Sequence, residues 1–438
     1  MKKTLVALAA LAATASFAQS SSVEIYGRGA IDFSNYSATG ATTAANDITG
    51  RSRVADFGSR FGLRVNEDLG GGTRAFMLCE TGMNVDNANV NSQQLDSTST
   101  ASGYANPNAN TNFLCSREGH VGIGNASAEL RLGRQNVFWT AGEINQTGAN
   151  FISGDVLTNF YGAGMGYVSA AGVSRLANTA LVQFNKDMVG AFAGSHIYRA
   201  TTGEAGDPTG AAAVNTLPTA AGGATTSPAN KAGYTQGGKL NYSSGPYLAM
   251  YDMVQQRNTA NNVDSRENTN RDAWRLGLGY KYAEGSVISL LTWSHEIKYT
   301  NATSAAETPS INPTAGTTTT SANGARGNRK QGGTGINLVH KLGGGYTALA
   351  QYGIQGNLKA NGAEVADTGA KAVMVALKKD LSKRTHVFAQ YSKYTTDTNG
   401  YAGFGGASYG SDYAGAAGQL KVKGADPTVI GVGIIHNF

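Results

Sequence analysis

The feature that most constrains this chain is a strict alternation of apolar and polar side chains that recurs along most of its length. Within residues 23–33, four apolar side chains fall on one face and three charged ones on the other. The apolar four are Val23, Ile25, Ile31 and Phe33, and the charged three are Glu24, Arg28 and Asp32. Residues 430–438 alternate up to the final Phe438, and residues 346–353 do so less cleanly. Because successive side chains of a strand point to opposite faces, the pattern predicts half-buried β-strands.

The alternating segments also follow a second rhythm. Short turns rich in Gly, Asn, Asp and Ser join them in pairs, and long segments rich in Thr, Ser, Asn, Ala and Gly separate the pairs. We expect about sixteen strands, with ends uncertain by roughly two to four residues. They are 23–36, 58–67, 73–83, 116–124, 129–135, 172–184, 188–199, 234–242, 246–256, 272–282, 286–298, 332–341, 345–355, 370–379, 384–394 and 428–438.

A sheet of this many strands must hide its two edges, and closing it into a barrel removes them. An even number of strands, with short turns at one end and long loops at the other, is typical of barrels in outer membranes. No stretch of ~18 consecutive apolar residues follows residue 19, so no transmembrane helix is expected. The predicted fold is therefore all-β: a 16-stranded antiparallel transmembrane β-barrel with short periplasmic turns and long extracellular loops.

Aromatic residues fall near several predicted strand ends. Tyr26, Tyr346, Tyr352, Tyr391 and Phe438 lie there. Outer-membrane barrels carry aromatic girdles at both membrane interfaces, and these residues are candidates for them. The alternative is that tyrosine simply favours strands.

The first eighteen residues have the pattern of an export signal. Lys2 and Lys3 precede an apolar run, and small residues stand at the third and first positions before Gln19. We expect a signal peptide over 1–18, export by the Sec pathway and a mature barrel over 19–438. Without the two lysines the chain has 33 basic and 29 acidic residues, a net charge of +4.

Composition argues against several other functions. Charged residues make up only 15% of the chain, and the basic ones form no runs interleaved with aromatic residues of the kind that bind nucleic acid. The six histidines lie singly along predicted strands, without metal-ligand spacing, and no nucleophile elbow or phosphate-binding loop occurs. The sequence predicts no enzyme, metal or other cofactor, and no nucleic-acid partner. A surface adhesin is a further alternative, but it would be expected to show repeats of fixed period.

Several of these segments resemble those of a known family. Residues 23–28 resemble the first barrel strand of general bacterial porins, and residues 59–70 resemble their second strand and first turn. Residues 130–135 resemble the strand that leads into the constriction loop, and Phe438 resembles their assembly signal. The resemblance, to the beta-proteobacterial branch of these porins, runs from Ser22 to Phe438.

The resemblance implies a homotrimer in the outer membrane in which each barrel is a water-filled pore for small hydrophilic solutes and ions. It implies a third loop folded inward, here residues 136–171. It implies contacts between the outside of the barrel and outer-membrane lipid and lipopolysaccharide. It also implies recognition of Phe438 by the barrel-assembly machinery. A channel specific for a sugar, phosphate or another small anion is an alternative that the sequence does not separate from a general pore.

Pore selectivity depends on the charges that line the passage. Alternation places Arg28, Arg60, Arg64, Arg117 and Arg134 opposite the apolar faces of their strands, and therefore in the lumen. By resemblance to the family, Arg175 at the start of the next strand joins this basic lining. The resemblance also implies that acidic residues of the third loop face the lining, and Glu143 and Asp155 are the candidates. We expect a modest preference for anions.

The two cysteines of the exported chain could form one disulfide in an oxidising compartment. Cys79 has the outward parity of Met77, whereas Cys115 shares the parity assigned to Arg117. Opposite faces argue against a bridge, but alternation can fail near loops, so both states stay open.

Overall fold

The computed structural model describes residues 21–83, 85, 114–136, 155–158, 160, 175–185, 190–200, 216–218, 224–226, 234–261, 264–299, 328–400 and 423–438. The predicted signal peptide 1–18 and most of the predicted loop 136–171 lie outside these residues. Within them the chain is almost entirely β-strand, and no helix is both long and apolar enough to cross a bilayer.

The described strands have the following bounds. They are β1 Ser21–Thr39, β2 Ile48–Asp56, β3 Arg60–Gly70, β4 Thr73–Gly82, β5 Glu118–Gly124, β6 Ala128–Asn136, β7 Arg175–Asn185, β8 Phe192–Ala200, β9 Thr216–Pro218, β10 Ala224–Thr226, β11 Tyr234–Ser244, β12 Tyr247–Asn261, β13 Asp264–Ala283, β14 Ser286–Tyr299, β15 Arg329–Gly343, β16 Tyr346–Gln355, β17 Lys359–Ala360, β18 Ala363–Glu364, β19 Ala370–Asp380, β20 Thr385–Thr396 and β21 Asp426–Asn437.

Seventeen of the described strands form a closed antiparallel wall of sixteen strand positions, because β2 and β3 together occupy one position. Each pairs with its neighbours along the chain, and β1 pairs with β21 from Arg28 opposite Asn437 to Thr39 opposite Asp426. Phe438 extends this seam, because its N–H and C=O each form a 3.0 Å hydrogen bond with Gly27. The prediction of a closed sixteen-stranded barrel is therefore confirmed.

The second wall strand is longer than the sequence suggested and is divided in two. Both β2 and β3 pair with β1, which faces β3 with its first half and β2 with its second. The break falls at residues 57–59, where the Asp56 side chain accepts hydrogen bonds from the backbone N–H groups of Gly58 at 2.8 Å and Ser59 at 3.0 Å. The sequence pattern placed the start of this strand at residue 58 and missed β2, whose polar composition masks the alternation.

The two faces of the wall differ in chemistry, as the alternation requires. On β12, Tyr251 is 44% exposed on the outer face, whereas its neighbour Asp252 is fully buried on the inner face. Outer positions carry many exposed Val, Leu, Ile and Tyr side chains. A charge among them would cost ~2–4 kcal/mol at the bilayer midplane.

Four of the five proposed girdle aromatics are exposed: Tyr346, Tyr352, Tyr391 and Phe438. The prediction for Tyr26 is wrong, because its hydroxyl donates a hydrogen bond to the carboxylate of Glu80 on the inner wall. Tyr26 pairs with Gly62, and a Cβ at that glycine would lie only 2.4 Å from the ring. The missing side chain lets the ring lie flat against the inside of the barrel.

Candidate functional site: an arginine cluster and a loop inside the barrel

An acidic residue on β4 is the centre of a charged cluster on the inner wall. The Arg117 Nε lies 2.7 Å from the Glu80 Oε1, and the Arg60 Nε lies 3.4 Å from its Oε2. The Tyr26 hydroxyl donates to the same Oε2 at 3.0 Å. Arg28, which is 3% exposed, stands directly opposite Arg60 in the pairing of β1 with β3. The Glu80 carboxylate thus stands among three guanidinium groups. Two further acids belong to this cluster, because Glu118 lies opposite Glu80 in the pairing of β4 with β5 and Asp56 acts on Arg28.

Arg117 reaches the cluster because it lies outside the strand. It has the parity of Val121 and Ile123, which are exposed on the outer face. However, β5 begins only at Glu118, and residues 114–117 form a turn. The Arg117 N–H donates to the Glu80 carbonyl at 2.8 Å. The alternation on which the sequence-based assignment rested therefore does not extend to Arg117, and the turn accounts for its inward position.

Glu80 was not among the residues predicted from the sequence. The alternation could have placed Glu80 on the inner face, because its parity is opposite to that of Met77 and Cys79, which were assigned outward. The inner face of β4 also carries Phe76 and Leu78, however, so this strand lacks a clean polar face.

Arg64 lies on the inner wall beside the cluster. Its Cζ is 3.9 Å from the centre of the Tyr26 ring, and its Nη1 is 3.2 Å from the Glu24 Oε2. The side chain is about half exposed, so this ion pair adds little stability. The Tyr26 ring instead provides a flat support that holds the guanidinium group along the wall.

A similar support lies further along the wall. The Phe76 ring is 4.9 Å from the Arg74 Cζ and 5.9 Å from the Arg131 Cζ, and both guanidinium groups also contact Glu129. A Cβ at Gly122 would come within 2.3 Å of this ring, so the glycine again makes room for it. Arg74 and Arg131 belong to the basic lining, although the sequence analysis named neither.

The assignment of Arg134 to the pore is wrong. Arg134 shares the parity of Leu130 and Leu132, which are exposed on the outer face, and the inward arginine of this strand is Arg131. The Arg134 Nε donates to the carbonyl of Arg117 at 3.3 Å, at the end of the barrel where the long loops lie. Arg175 is the first residue of β7, opposite Asn136, and its side chain lies outside what the structure describes.

Part of the long segment after β6 lies inside the barrel. Gln351 on β16 accepts hydrogen bonds from the backbone N–H groups of Val156 at 3.0 Å and Leu157 at 3.3 Å. The Tyr394 hydroxyl on β20 donates to the Val156 carbonyl at 3.1 Å. Because β6 and β16 are eight strands apart in a ring of sixteen, the segment crosses the bore.

An apolar patch on the inner wall receives this segment. The Phe160 ring stacks on Trp293 at 6.1 Å and meets Tyr394 edge-on at 5.2 Å. A Cβ added to Gly335 would lie 2.3 Å from the Leu157 Cδ2. The wall thus has an aromatic contact and a glycine-lined recess that fit the loop.

Asp155 does not face the passage. Its side chain is 3% exposed, and its carboxylate accepts hydrogen bonds from the Thr158 N–H at 2.9 Å and the Thr158 hydroxyl at 2.7 Å. This is an N-cap of the helical turn that presents Val156 and Leu157 to the wall. Burial raises the pKa of this carboxyl above its ordinary value. The prediction of Asp155 as a charge of the constriction is therefore wrong, and Glu143 lies outside the described residues.

Cys79 and Cys115 form a disulfide, with Cα atoms 4.4 Å apart. The parity argument against a bridge failed because Cys115 belongs to the turn before β5.

A second set of buried charges lies on the inner face of β11, β12 and β13. Lys239, Asp252 and Arg275 stand side by side in the strand pairing. The Arg275 Nε lies 2.9 Å from the Asp252 Oδ1, and both side chains are almost fully buried. This row has more positive than negative charge.

The architecture is that of a membrane channel: a closed barrel with an apolar outside, a charged inside and a loop across its bore. A family model described as Gram-negative porin matches residues 6–399, and the chain therefore belongs to the Gram-negative porin family. It is an outer-membrane porin, which forms a water-filled channel for passive diffusion of small hydrophilic solutes and ions. The sequence-based prediction of a porin is confirmed.

Solved structures show the same fold. The anion-selective porin from Comamonas acidovorans is 20% identical, with a TM-score of 0.65 over 96% of this chain and 100% of that one. OmpT of Vibrio cholerae in its trimer form is 11% identical, with a TM-score of 0.55 over 96% and 100%. Salmonella typhi OmpF in complex with daunomycin is 14% identical, with a TM-score of 0.53 over 95% and 97%. No curated protein sequence matches the chain.

Proposed function

We propose that this porin prefers anions to cations. The observation that carries the proposal is the concentration of Arg28, Arg60 and Arg117 on the inner wall around the carboxylate of Glu80. Charges that line a narrow passage between low-dielectric walls concentrate the counter-ion, here an anion. Aromatic rings hold three more guanidinium groups along the inner wall, those of Arg64, Arg74 and Arg131. The structural similarity to a porin described as anion-selective agrees with this proposal.

The proposal also covers the export of the chain, its constriction loop and the assembly of the channel. A signal peptide over 1–18 directs export through the Sec pathway, and the barrel occupies 19–438 with residues 136–171 as its constriction loop. The barrels assemble as a homotrimer, in keeping with the trimer form of the similar OmpT of Vibrio cholerae. They contact lipid and lipopolysaccharide, and the assembly machinery recognises Phe438. Passive diffusion needs no catalytic group, and we propose that the chain is not an enzyme.

The decisive measurement is the reversal potential of the purified trimer in a planar bilayer under a KCl gradient. We expect a reversal potential whose sign shows that chloride permeates more readily than potassium. In Arg60→Ala/Arg117→Ala the preference should move toward cations, by roughly sevenfold in permeability ratio for each unit charge, since a charge across ~7 Å of water changes the anion and the cation by two- to threefold in opposite directions. Lys371→Ala is a matched control, because it removes a positive charge from the parity of the outward Val373. Clear cation preference of the unaltered protein would overturn the proposal.

A channel specific for one small anion remains the competing function. The inner wall offers it two separate groups of basic side chains, around Glu80 and around Asp252. Such a channel would show concentration-dependent block of its conductance by one solute, such as phosphate, whereas a general pore would not. Swelling of proteoliposomes in a series of sugars and organic anions would distinguish the two.

A further inference from the structure

The disulfide lies directly beside the arginine cluster in sequence. Cys79 precedes Glu80, and Cys115 stands two residues before Arg117. The strand β4 ends at Gly82 and β5 begins at Glu118. The bridge therefore joins β4 to the turn before β5 at the point where the Arg117 guanidinium meets the Glu80 carboxylate.

Arg117 depends on a local distortion for its inward position. If β5 began two residues earlier, Arg117 would share the outer face with Val121 and Ile123. The chain instead turns at 114–117, with Cys115 at a φ of 60°, in the left-handed region that residues other than glycine seldom adopt. Such a conformation persists only where the surroundings enforce it.

Several contacts hold this turn. They include the disulfide, a 3.0 Å hydrogen bond from the Cys115 N–H to the Thr81 hydroxyl, the 2.8 Å bond from the Arg117 N–H to the Glu80 carbonyl, and the 3.3 Å bond from the Arg134 Nε to the Arg117 carbonyl. The disulfide is the covalent one. Because a cross-link reduces the freedom of the chain that it closes, it restricts this turn more than any one of these hydrogen bonds does.

We propose that the Cys79–Cys115 disulfide is a positioning element of the selectivity cluster, which holds the turn so that Arg117 points into the passage. The inference rests on the proposed anion preference. Reduction or removal of the bridge lets residues 114–117 relax, and the Arg117 charge leaves Glu80. The open channel then keeps its barrel but loses one fixed positive charge from its lining.

The test is a double-mutant cycle on the full-length trimer in bilayers. The variants are Cys79→Ser/Cys115→Ser, Arg117→Ala and the combination of all three changes. We expect the cysteine pair and Arg117→Ala each to lower the anion-to-cation permeability ratio by roughly sevenfold, the effect of one unit charge across ~7 Å of water on an anion and a cation together. The triple variant should equal Arg117→Ala, because both changes act through the same charge.

Treatment of the unaltered porin with dithiothreitol provides a second route that avoids refolding. The reagent supplies two electrons and two protons, the S–S bond becomes two thiols, and the reagent closes to its own cyclic disulfide. Alkylation and mass mapping verify the reduction, and heat-modifiable migration on a gel verifies the intact barrel. Selectivity should fall as in the serine pair, and the serine pair itself should not respond.

The outcomes separate the two proposals. If Arg117→Ala leaves the permeability ratio unchanged, the cluster does not set selectivity and the proposed function fails at this residue. If Arg117→Ala lowers the ratio but verified reduction does not, the positioning role of the disulfide is wrong. Additive effects of the cysteine and Arg117 changes, or free thiols in the mature protein, overturn it as well.

Discussion

Arg28 on β1 and Arg60 on β3 stand directly opposite each other in the barrel wall, on the inner face. Like charges in this position destabilise a strand pair by up to ~1 kcal/mol, so the wall keeps the pair at a cost. The carboxylate of Glu80, 3.4 Å from the Arg60 Nε, offsets part of the repulsion. Glu118, opposite Glu80 in the pairing of β4 with β5, adds a second acid beside these arginines.

Replacing Glu80 with Gln should strengthen the preference for anions. The change removes the carboxylate that contacts Arg60 and Arg117, so the net charge of the cluster rises by one. We expect the anion-to-cation permeability ratio to increase by roughly sevenfold, since a unit charge across ~7 Å of water raises the anion and lowers the cation by two- to threefold each. Reversal potentials in a KCl gradient would measure it, with Glu80→Asp as the charge-preserving control. A decrease would mean that Glu80 matters chiefly for holding the arginines in place.

Replacing Asp155 with Asn should leave selectivity unchanged. Asp155 is buried and caps the helical turn through Thr158, and Asn is an equally good capping residue. Since the carboxylate does not face the passage, we expect the same reversal potential as in the unaltered protein. A shift toward anions comparable to that of Glu80→Gln would show that the Asp155 charge does reach the permeating ions.

Replacing Gly335 with Ala should disturb the loop that crosses the bore. The new Cβ would lie 2.3 Å from the Leu157 Cδ2, so the loop tip must move away from the wall and toward the open passage. We expect a lower and noisier single-channel conductance. Gly29→Ala is the matched control, because no atom lies within 4 Å of a Cβ at that position. Equal conductance of the two variants would contradict the observed packing of Leu157 against the wall at Gly335.

Replacing Asp252 with Asn should destabilise the barrel strongly. It leaves the guanidinium group of Arg275 buried without its ionic partner, a change that costs about 3–5 kcal/mol. Replacing the pair together, as Asp252→Leu/Arg275→Met, should cost much less because no buried charge is left behind. Denaturant unfolding of the refolded protein, followed by heat-modifiable migration, would compare the variants. Equal losses would show that the two residues are not energetically coupled.

The sequence was informative where one side of the wall meets lipid. The alternation of Val23 and Ile25 with Glu24 shows which face of the strand meets lipid. The same pattern, repeated over many strands, predicts the barrel. It was less informative inside. Trp293 is a buried inward residue, and with Val287 and Leu291 it makes β14 largely apolar on both faces. Its partner Phe160 lies on a distant loop that periodicity does not connect to it.

The pore residues were predictable only within regular strands. Arg28, Arg60 and Arg64 follow the alternation and lie inward. For Arg134 the alternation was misread, since Leu130 and Leu132 already assign its parity to the outside. Arg117 lies in a turn, where strand parity has no meaning. Local backbone geometry decided its position, and no sequence period encodes that geometry.

The pairing of β1 with β21 joins the two described strands that are farthest apart along the chain. Bringing them together is the most entropically demanding loop closure in the fold, and contacts of such long range form slowly. Until they meet, the growing sheet has two open edges with unpaired N–H and C=O groups, which invite association with other chains. Sealing of the barrel is therefore a late, all-or-none event, and the unsealed chain depends on outside protection until then.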